Sequence, residues 1–179
     1  NLGLQYIKEH SSLITENVEK YNGKLLKELG DGCLLIFDSA FEAVKFCKQL
    51  QDDISNNHNF KIRIGIHVGD IIKEKNDYFG SGVNIASRIY KFANPGEICI
   101  TQDVNNQTKS HKEIHTISIG HKNVKGIDES YKIYKIVKRD EKEDSFINES
   151  SKKDKSKQSL FNELLTRRVP QFIGVYIAI

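Results

Sequence analysis

Asp31 is flanked by two glycines in KLLKELGDGCLLIF, residues 24–37, so neighbouring side chains are cleared from its carboxylate. A carboxylate presented in this way can meet a divalent metal or a metal-bound phosphate. The same Gly30-Asp31-Gly32 also suits a tight hairpin turn, because Asp and Gly tolerate positive φ, and both readings stand on these residues alone. A second candidate lies in NIASR, residues 84–88, where Asn84 and Arg88 are four apart and share one helix face. Val83, Ala86, Tyr90 and Ala93 can then turn toward a core, although exposed helix faces often carry such polar pairs for no chemical purpose. His58 and His67 have no second His or Cys at ligand spacing, and read as hydrogen-bonded or solvated side chains.

The elements that must position these residues follow from periodicity and punctuation. Leu4, Ile7, Ile14, Val18 and Tyr21 recur at helical spacing, and Asn22-Gly23 is a stop signal. The Gly-Asp-Gly hairpin follows, and Ser39-Ala40-Phe41-Glu42 then fits a capping box opening a helix with Ala43, Val44, Cys47, Leu50 and Ile54 on one side. From Phe60 to Asp70 apolar and polar or small residues alternate strictly, which predicts a strand. Residues 71–75 either extend it or form a hairpin partner, with Asn76-Asp77 at a turn. A third helix is predicted over residues 83–93, stopped by Pro95-Gly96. Strands over 98–101, 114–119 and 131–137 and a short helix over 102–108 complete the pattern. This order indicates an α+β sandwich, a mainly antiparallel sheet with helices packed on one side.

With 179 residues, the chain is long enough for one domain and an appendage. Its 27 basic and 24 acidic residues leave a charge of only +3, which sets up no field for a polyanion, so nucleic acid is not an expected partner. An RNA-binding module of similar element order is also disfavoured, because Leu34, Leu35, Ile36, Arg63, Gly65 and His67 provide no aromatic stacking platform. Cys33, Cys47 and Cys99 lie in apolar runs and read as small buried hydrophobes of a reducing compartment. Residues 139–158 are rich in Lys, Asp, Glu and Ser and read as a charged, solvated linker.

NDYFGSGVNIASR, residues 76–88, resembles the signature of the class III nucleotidyl cyclases, the adenylate and guanylate cyclase catalytic domains. LGDG, RIGIHVGD, PGEICIT and VKGIDESYKIYKI resemble further motifs of that family, in its order, over residues 1–138. The resemblance implies a ferredoxin-like sandwich and places Asp31 as the second of two metal-binding aspartates, with Mg²⁺ or Mn²⁺ as two ions per site. Lys27 and Asp77, on their own a strand-edge charge and a turn former, match the positions that read the purine. Asn84 matches the residue that orients the ribose, Arg88 the one that stabilises charge at the α-phosphate, and Lys125 the lysine that holds the terminal phosphates. Adenine offers an acceptor at N1 and a donor at its 6-amino group, so a Lys donor with an Asp acceptor favours ATP over GTP. The implied reaction is attack of the ribose 3′-hydroxyl of ATP on the α-phosphorus, giving cyclic AMP and pyrophosphate, at sites built across a homodimer.

One departure bears on activity. The family's first metal aspartate lies on a strand before the first helix, and neither an Asp nor a strand precedes Leu4. The expectation is therefore a domain truncated at its first strand and inactive or nearly so by itself. A catalytically inactive cyclase-fold module that binds nucleotide, or a guanylate cyclase, are the alternatives. Residues 159–179 end in an apolar run after Arg167-Arg168; they read either as a short helix packed on the domain or as a helix leading into a truncated transmembrane span. In the second reading the paired arginines put the domain in the cytoplasm on the inner face of a membrane.

Overall fold

The computed structural model describes residues 2–74, 77–138 and 171–178, with the backbone alone at 2–4, 77 and 171–173. Helix α1 (Leu2–Val18) buries Ile14 and Val18, and a short 3₁₀ turn after it ends at Asn22, whose φ of 54° is left-handed. The chain then turns back as β1 (Gly23–Leu29) and β2 (Gly32–Phe37), an antiparallel pair with Gly30 at φ 66°. Helix α2 (Ala40–Asn57) starts at Ser39, whose hydroxyl accepts from the Glu42 amide at 3.4 Å. The Glu42 carboxylate accepts from Asn22 Nδ2 at 2.6 Å, so the box is tied to the preceding turn. The apolar side read from the sequence, Ala43, Val44, Cys47, Leu50 and Ile54, is buried.

Strand β3 (Arg63–Asp70) follows, then a separate antiparallel ribbon of β4 (Ile72–Glu74) and β5 (Asp77–Phe79), which realises the hairpin alternative. Helix α3 (Ser81–Ile89) runs into a 3₁₀ turn at Tyr90–Phe92, and β6 (Ile98–Thr101), α4 (Gln102–Thr108), β7 (His115–Asn123) and β8 (Ser130–Val137) complete the region before the linker. Strand β9 (Gln171–Ala178) joins the same sheet. The strand order is β1-β2-β9-β3-β6-β8-β7, antiparallel at every step except β3 beside β6.

Two features differ from the expectation. First, residues 171–178 form neither a packed helix nor the start of a span; they lie between β2 and β3 with Val175 and Ile177 fully buried. A short continuous apolar run has the same periodicity whether it is a buried helix or a strand covered on both faces, and here the two flanking strands supply its backbone partners. Among the described residues no helix is long and apolar enough to cross a membrane. The predicted linker at 139–158 and residues 159–170 lie outside the described residues. Second, helices pack on both sides of the sheet. Ile64 and Ile66 face a core shared with α1, α2 and α4, whereas Gly65 faces α3 on the opposite side.

This two-sided cover explains why the strict alternation of β3 does not mark a wet face: residues 64–68 are all buried. His67 accordingly sits under α3's side, 3.1 Å from Thr101 Oγ1 and edge-on to Tyr131. Burial lowers its pKa from 6.5 to about 4, and His10 is likewise lowered to about 4 by burial, against the opposing pull of Asp31 and Glu28. Both folded values lie below the unfolded one, so the unfolded chain binds more protons between pH 6.5 and about 4. Stability is whole above the unfolded value and falls as pH drops through this window, by on the order of 3 kcal/mol per ring. Urea unfolding from pH 7 to 4.5 should show a shallower acid limb in His67→Gln than in the parent; an identical limb would refute ring burial as its source.

Candidate active site

Helix α3 carries the polar pair because its other side is locked to the sheet. A Cβ on Gly65 would stand 2.3 Å from the Tyr90 amide nitrogen and 2.8 Å from the Ala86 carbonyl oxygen, so only glycine lets the helix backbone come this close. Gly69 meets Gly82 in the same way at the start of the helix. Ile85, Ala86 and Ile89 are buried against the sheet, which leaves Asn84 exposed and Arg88 at the boundary, one turn apart on the outer face.

The loop between β7 and β8 comes over this face. Arg88 Nη1 donates to the carbonyl oxygen of Lys125, joining residues that are 37 apart in sequence. Val124 packs with Ile85 and Ile89 beneath, and Gly126 lies against the guanidinium. A cavity of about 380 Å³ opens here, lined by Arg88, Lys91, Phe92, Asn123, Lys125 and Gly126 among others, with no carboxylate in its wall. Three cations around an acid-free cavity form a site for a polyanionic group such as a phosphate chain. Lys91, three residues beyond Arg88, was absent from the sequence-derived set, although its helical spacing from Arg88 would have been sufficient to find it.

The remaining predicted residues lie apart from this cavity. Lys27 is exposed on β1, opposite Leu34 and next to a bulge between Leu25 and Lys27. Asp77 heads β5, opposite Glu74 in the outlying ribbon. Asp31 is exposed at the tip of the β1–β2 hairpin, and does not line the cavity that holds Arg88 and Lys125. Beside it, Tyr176 of β9 stacks on Tyr90 with centroids 4.7 Å apart, and the Arg63 guanidinium lies 5.4 Å from the Tyr90 ring centre. Burial first, and then the nearby Tyr90 and Asp31, raise the Tyr176 phenol above its usual range.

A pair of divalent ions needs several oxygen ligands, and among the described residues Asp31 is not joined by them. Gly32, the residue next to Asp31, pairs across the sheet with Ala178, and Ala178 pairs on its other side with Arg63. Among the described residues no three His, Cys, Asp or Glu gather as a donor set. His58 Nδ1 pairs with Glu9 at 3.5 Å and His67 Nδ1 lies 3.1 Å from Thr101 Oγ1, and neither histidine joins such a donor set. The described residues of a single copy therefore do not by themselves fit a two-ion centre.

The sequence model of the family described as Adenylate and Guanylate cyclase catalytic domain matches residues 6–138. A protein of Rhizobium meliloti (strain 1021), provisionally named adenylate cyclase 3, is 32% identical over 121 residues, covering 64% of this chain and 21% of that protein. The chain thus spans about a fifth of the length of that curated relative, and 24% of the next. A crystal structure of an Adenylate/Guanylate Cyclase/Hydrolase from Silicibacter pomeroyi superposes with a TM-score of 0.66 at 30% identity, over 70% of this chain and 77% of that one. The adenylyl cyclase CyaB from P. aeruginosa superposes with a TM-score of 0.59 at 23% identity, over 76% and 80% of the two chains, a likeness of fold.

Proposed function

Because the chain belongs to the adenylate and guanylate cyclase catalytic domain family, we propose that its cationic cavity handles the phosphates of ATP during formation of cyclic AMP. Cyclase domains of this family generally use divalent metal ions. The observation that carries the reading is the contact of Arg88 with the Lys125 carbonyl, which holds a guanidinium and an ammonium at one acid-free cavity. In the reaction a bond forms between the ribose O3′ and the α-phosphorus, the bond from that phosphorus to the pyrophosphate oxygen breaks with its electron pair leaving on pyrophosphate, and the 3′-hydroxyl proton passes to solvent. Negative charge grows on the α-phosphoryl oxygens, where the planar, always-charged guanidinium of Arg88 offers paired N–H donors. Lys125 and Lys91 hold the departing phosphates as point charges, and Asn84, one turn before Arg88, orients the ribose. Lys27 and Asp77 read the adenine edge as donor and acceptor.

Asp31 does not line the cavity of Arg88. In this reading two copies of the chain face each other, one supplying Asp31 and the other Lys27, Asp77, Asn84, Arg88 and Lys125 to each active site, as a homodimer with two equivalent sites. A second reading, a regulatory module that binds nucleotide without turning it over, is favoured by one observation: Ala178 stands across from the Asp31 turn where another ligand would help. Incubation of the domain, extended upstream by the strand that the family resemblance implies, with ATP or GTP and Mg²⁺ or Mn²⁺, followed by chromatography of the products, separates the readings. Cyclic AMP in excess over cyclic GTP supports the first. Saturable ATP binding with no cyclic product supports the second, and a preference for GTP refutes the purine roles of Lys27 and Asp77.

A further inference from the structure

A second cavity, of about 490 Å³, lies where β6 begins and β8 ends, between the latter half of α2 and the β7–β8 pair. It shares no lining residue with the cavity of Arg88. Gln51 projects to it from α2; this residue is only 9% exposed, and its Oε1 has no hydrogen-bond partner among the described residues. A buried acceptor without a donor is unfavourable and uncommon in folded proteins, so such an atom at a cavity wall points to a ligand that donates to it. The wall also carries apolar Ile98, Ile136 and Val137.

The charges define the rest of the ligand. Four lysines line the cavity against three carboxylates, Asp52, Glu97 and Glu113, a surplus of one positive charge. Lys135 pairs with Glu97 at 3.1 Å and Lys138 with Asp52 at 3.3 Å, while Lys48 donates to the Glu113 carbonyl at 2.6 Å. Despite partial burial, which opposes ionisation, the Asn94 amide and Lys135 hold Glu97 below the usual carboxylate range, so that pair is charged on both sides. Among the described residues neither Lys48 nor Lys112 has a carboxylate within ion-pair distance, but Lys48 is engaged by the Glu113 carbonyl, which leaves Lys112 as the cation for a ligand.

We propose that this cavity binds an adenine mononucleotide, with Gln51 on the base and Lys112 on the single phosphate, at a site separate from the one where substrate phosphates bind. The primary amide offers an acceptor and a donor side by side, which complements adenine's 6-amino group and the adjacent ring nitrogen. The three aliphatic side chains flank a flat ring, and the volume lies in the range of small-ligand sites. A surplus of one charge suits a monophosphate and not a triphosphate. The shared chemistry admits either a 5′-monophosphate or a cyclic 3′,5′-monophosphate.

The test is a titration of the whole chain, ¹⁵N-labelled, with 5′-AMP, cyclic AMP, adenosine and inorganic phosphate in separate arms. One or both nucleotides should shift the Gln51 side-chain amide and the Gly96 and Lys112 backbone amides, and which one binds more tightly identifies the source. Gln51→Leu replaces an unpaired polar atom by an apolar one and should fold with an unchanged or higher Tm, yet bind at least tenfold more weakly. Exposed Lys112→Ala should weaken binding about tenfold, and Arg88→Ala should leave these shifts in place. The proposal is overturned by an absence of shifts at these residues, by inorganic phosphate or adenosine reproducing the nucleotide's effect, or by unchanged binding in Gln51→Leu.

Discussion

Arg88→Ala should lower the rate of cyclic nucleotide formation by roughly 10²–10³-fold, the usual cost of removing one donor aimed at developing negative charge. The same variant should bind ATP about tenfold more weakly, because a charge-assisted hydrogen bond to phosphate is typically worth about 1.5–3 kcal/mol. The binding arm is informative even where turnover is slow, since it needs only the cavity formed by Arg88, Lys91 and Lys125. Stability should change little: the Arg88 side chain lies on the outer face of α3, and among the described residues its hydrogen bond is to the Lys125 carbonyl, at the surface. A calorimetric titration with ATP and a parallel product assay would check both parts. Full ATP affinity in Arg88→Ala would remove the guanidinium from the phosphate site, and with it the main support for the cyclase mechanism. Arg88→Lys should recover part of the binding but little of the rate, because an ammonium cannot present two parallel donors.

Gly65→Val should be strongly damaging although it lies away from the cavity. Even the first added carbon would stand 2.3 Å from the backbone nitrogen of Tyr90 and 2.8 Å from the Ala86 carbonyl. Both obstacles are helix backbone, so no side-chain rotation relieves them and α3 must lift from β3. Overpacking of this kind costs about 1–3 kcal/mol, and the separation also unpacks Ile85 and Ile89, each worth about 1.5–3 kcal/mol when fully buried. A fall in urea midpoint equivalent to about 3 kcal/mol or more is expected, together with loss of ATP binding, since Asn84 and Arg88 ride on the displaced helix. Gly120→Ala is the control. Gly120, unlike Gly65, has a positive φ, at 83°, but nothing lies within 4 Å of its added carbon, so the cost is the backbone term alone, about 1–2 kcal/mol. If the two variants were equally destabilised, close approach of α3 would not be what Gly65 provides.

Much of this architecture was legible in local chemistry. Ser39 and the spacing of Ala43, Val44, Cys47, Leu50 and Ile54 are sufficient to define α2, because capping and helical periodicity act within a few residues. The same holds for the hairpin around Gly30 and for the α3 motif with Asn84 and Arg88 one turn apart. The family resemblance, carried by those short strings, was legible for the same reason. The burial of His67 was not. Alternation in β3 says only that two faces differ, and a face of Gly65, His67 and Gly69 reads as solvated until a helix is known to lie across it.

By itself, then, the sequence determined the individual elements, the turn that exposes Asp31 and the one-turn spacing of Asn84 and Arg88, since each depends on contacts between near neighbours in the chain. Only the tertiary structure decided that α3 covers the face opposite α1 and α2, that the Lys125 loop folds onto Arg88, and that residues 171–178 enter the centre of the sheet. These are long-range choices. An apolar run such as FIGVYIA, residues 172–178, carries the same hydrophobic drive as helix, span or strand, and what selects the strand is a pair of open edges on β2 and β3 that can satisfy its backbone hydrogen bonds.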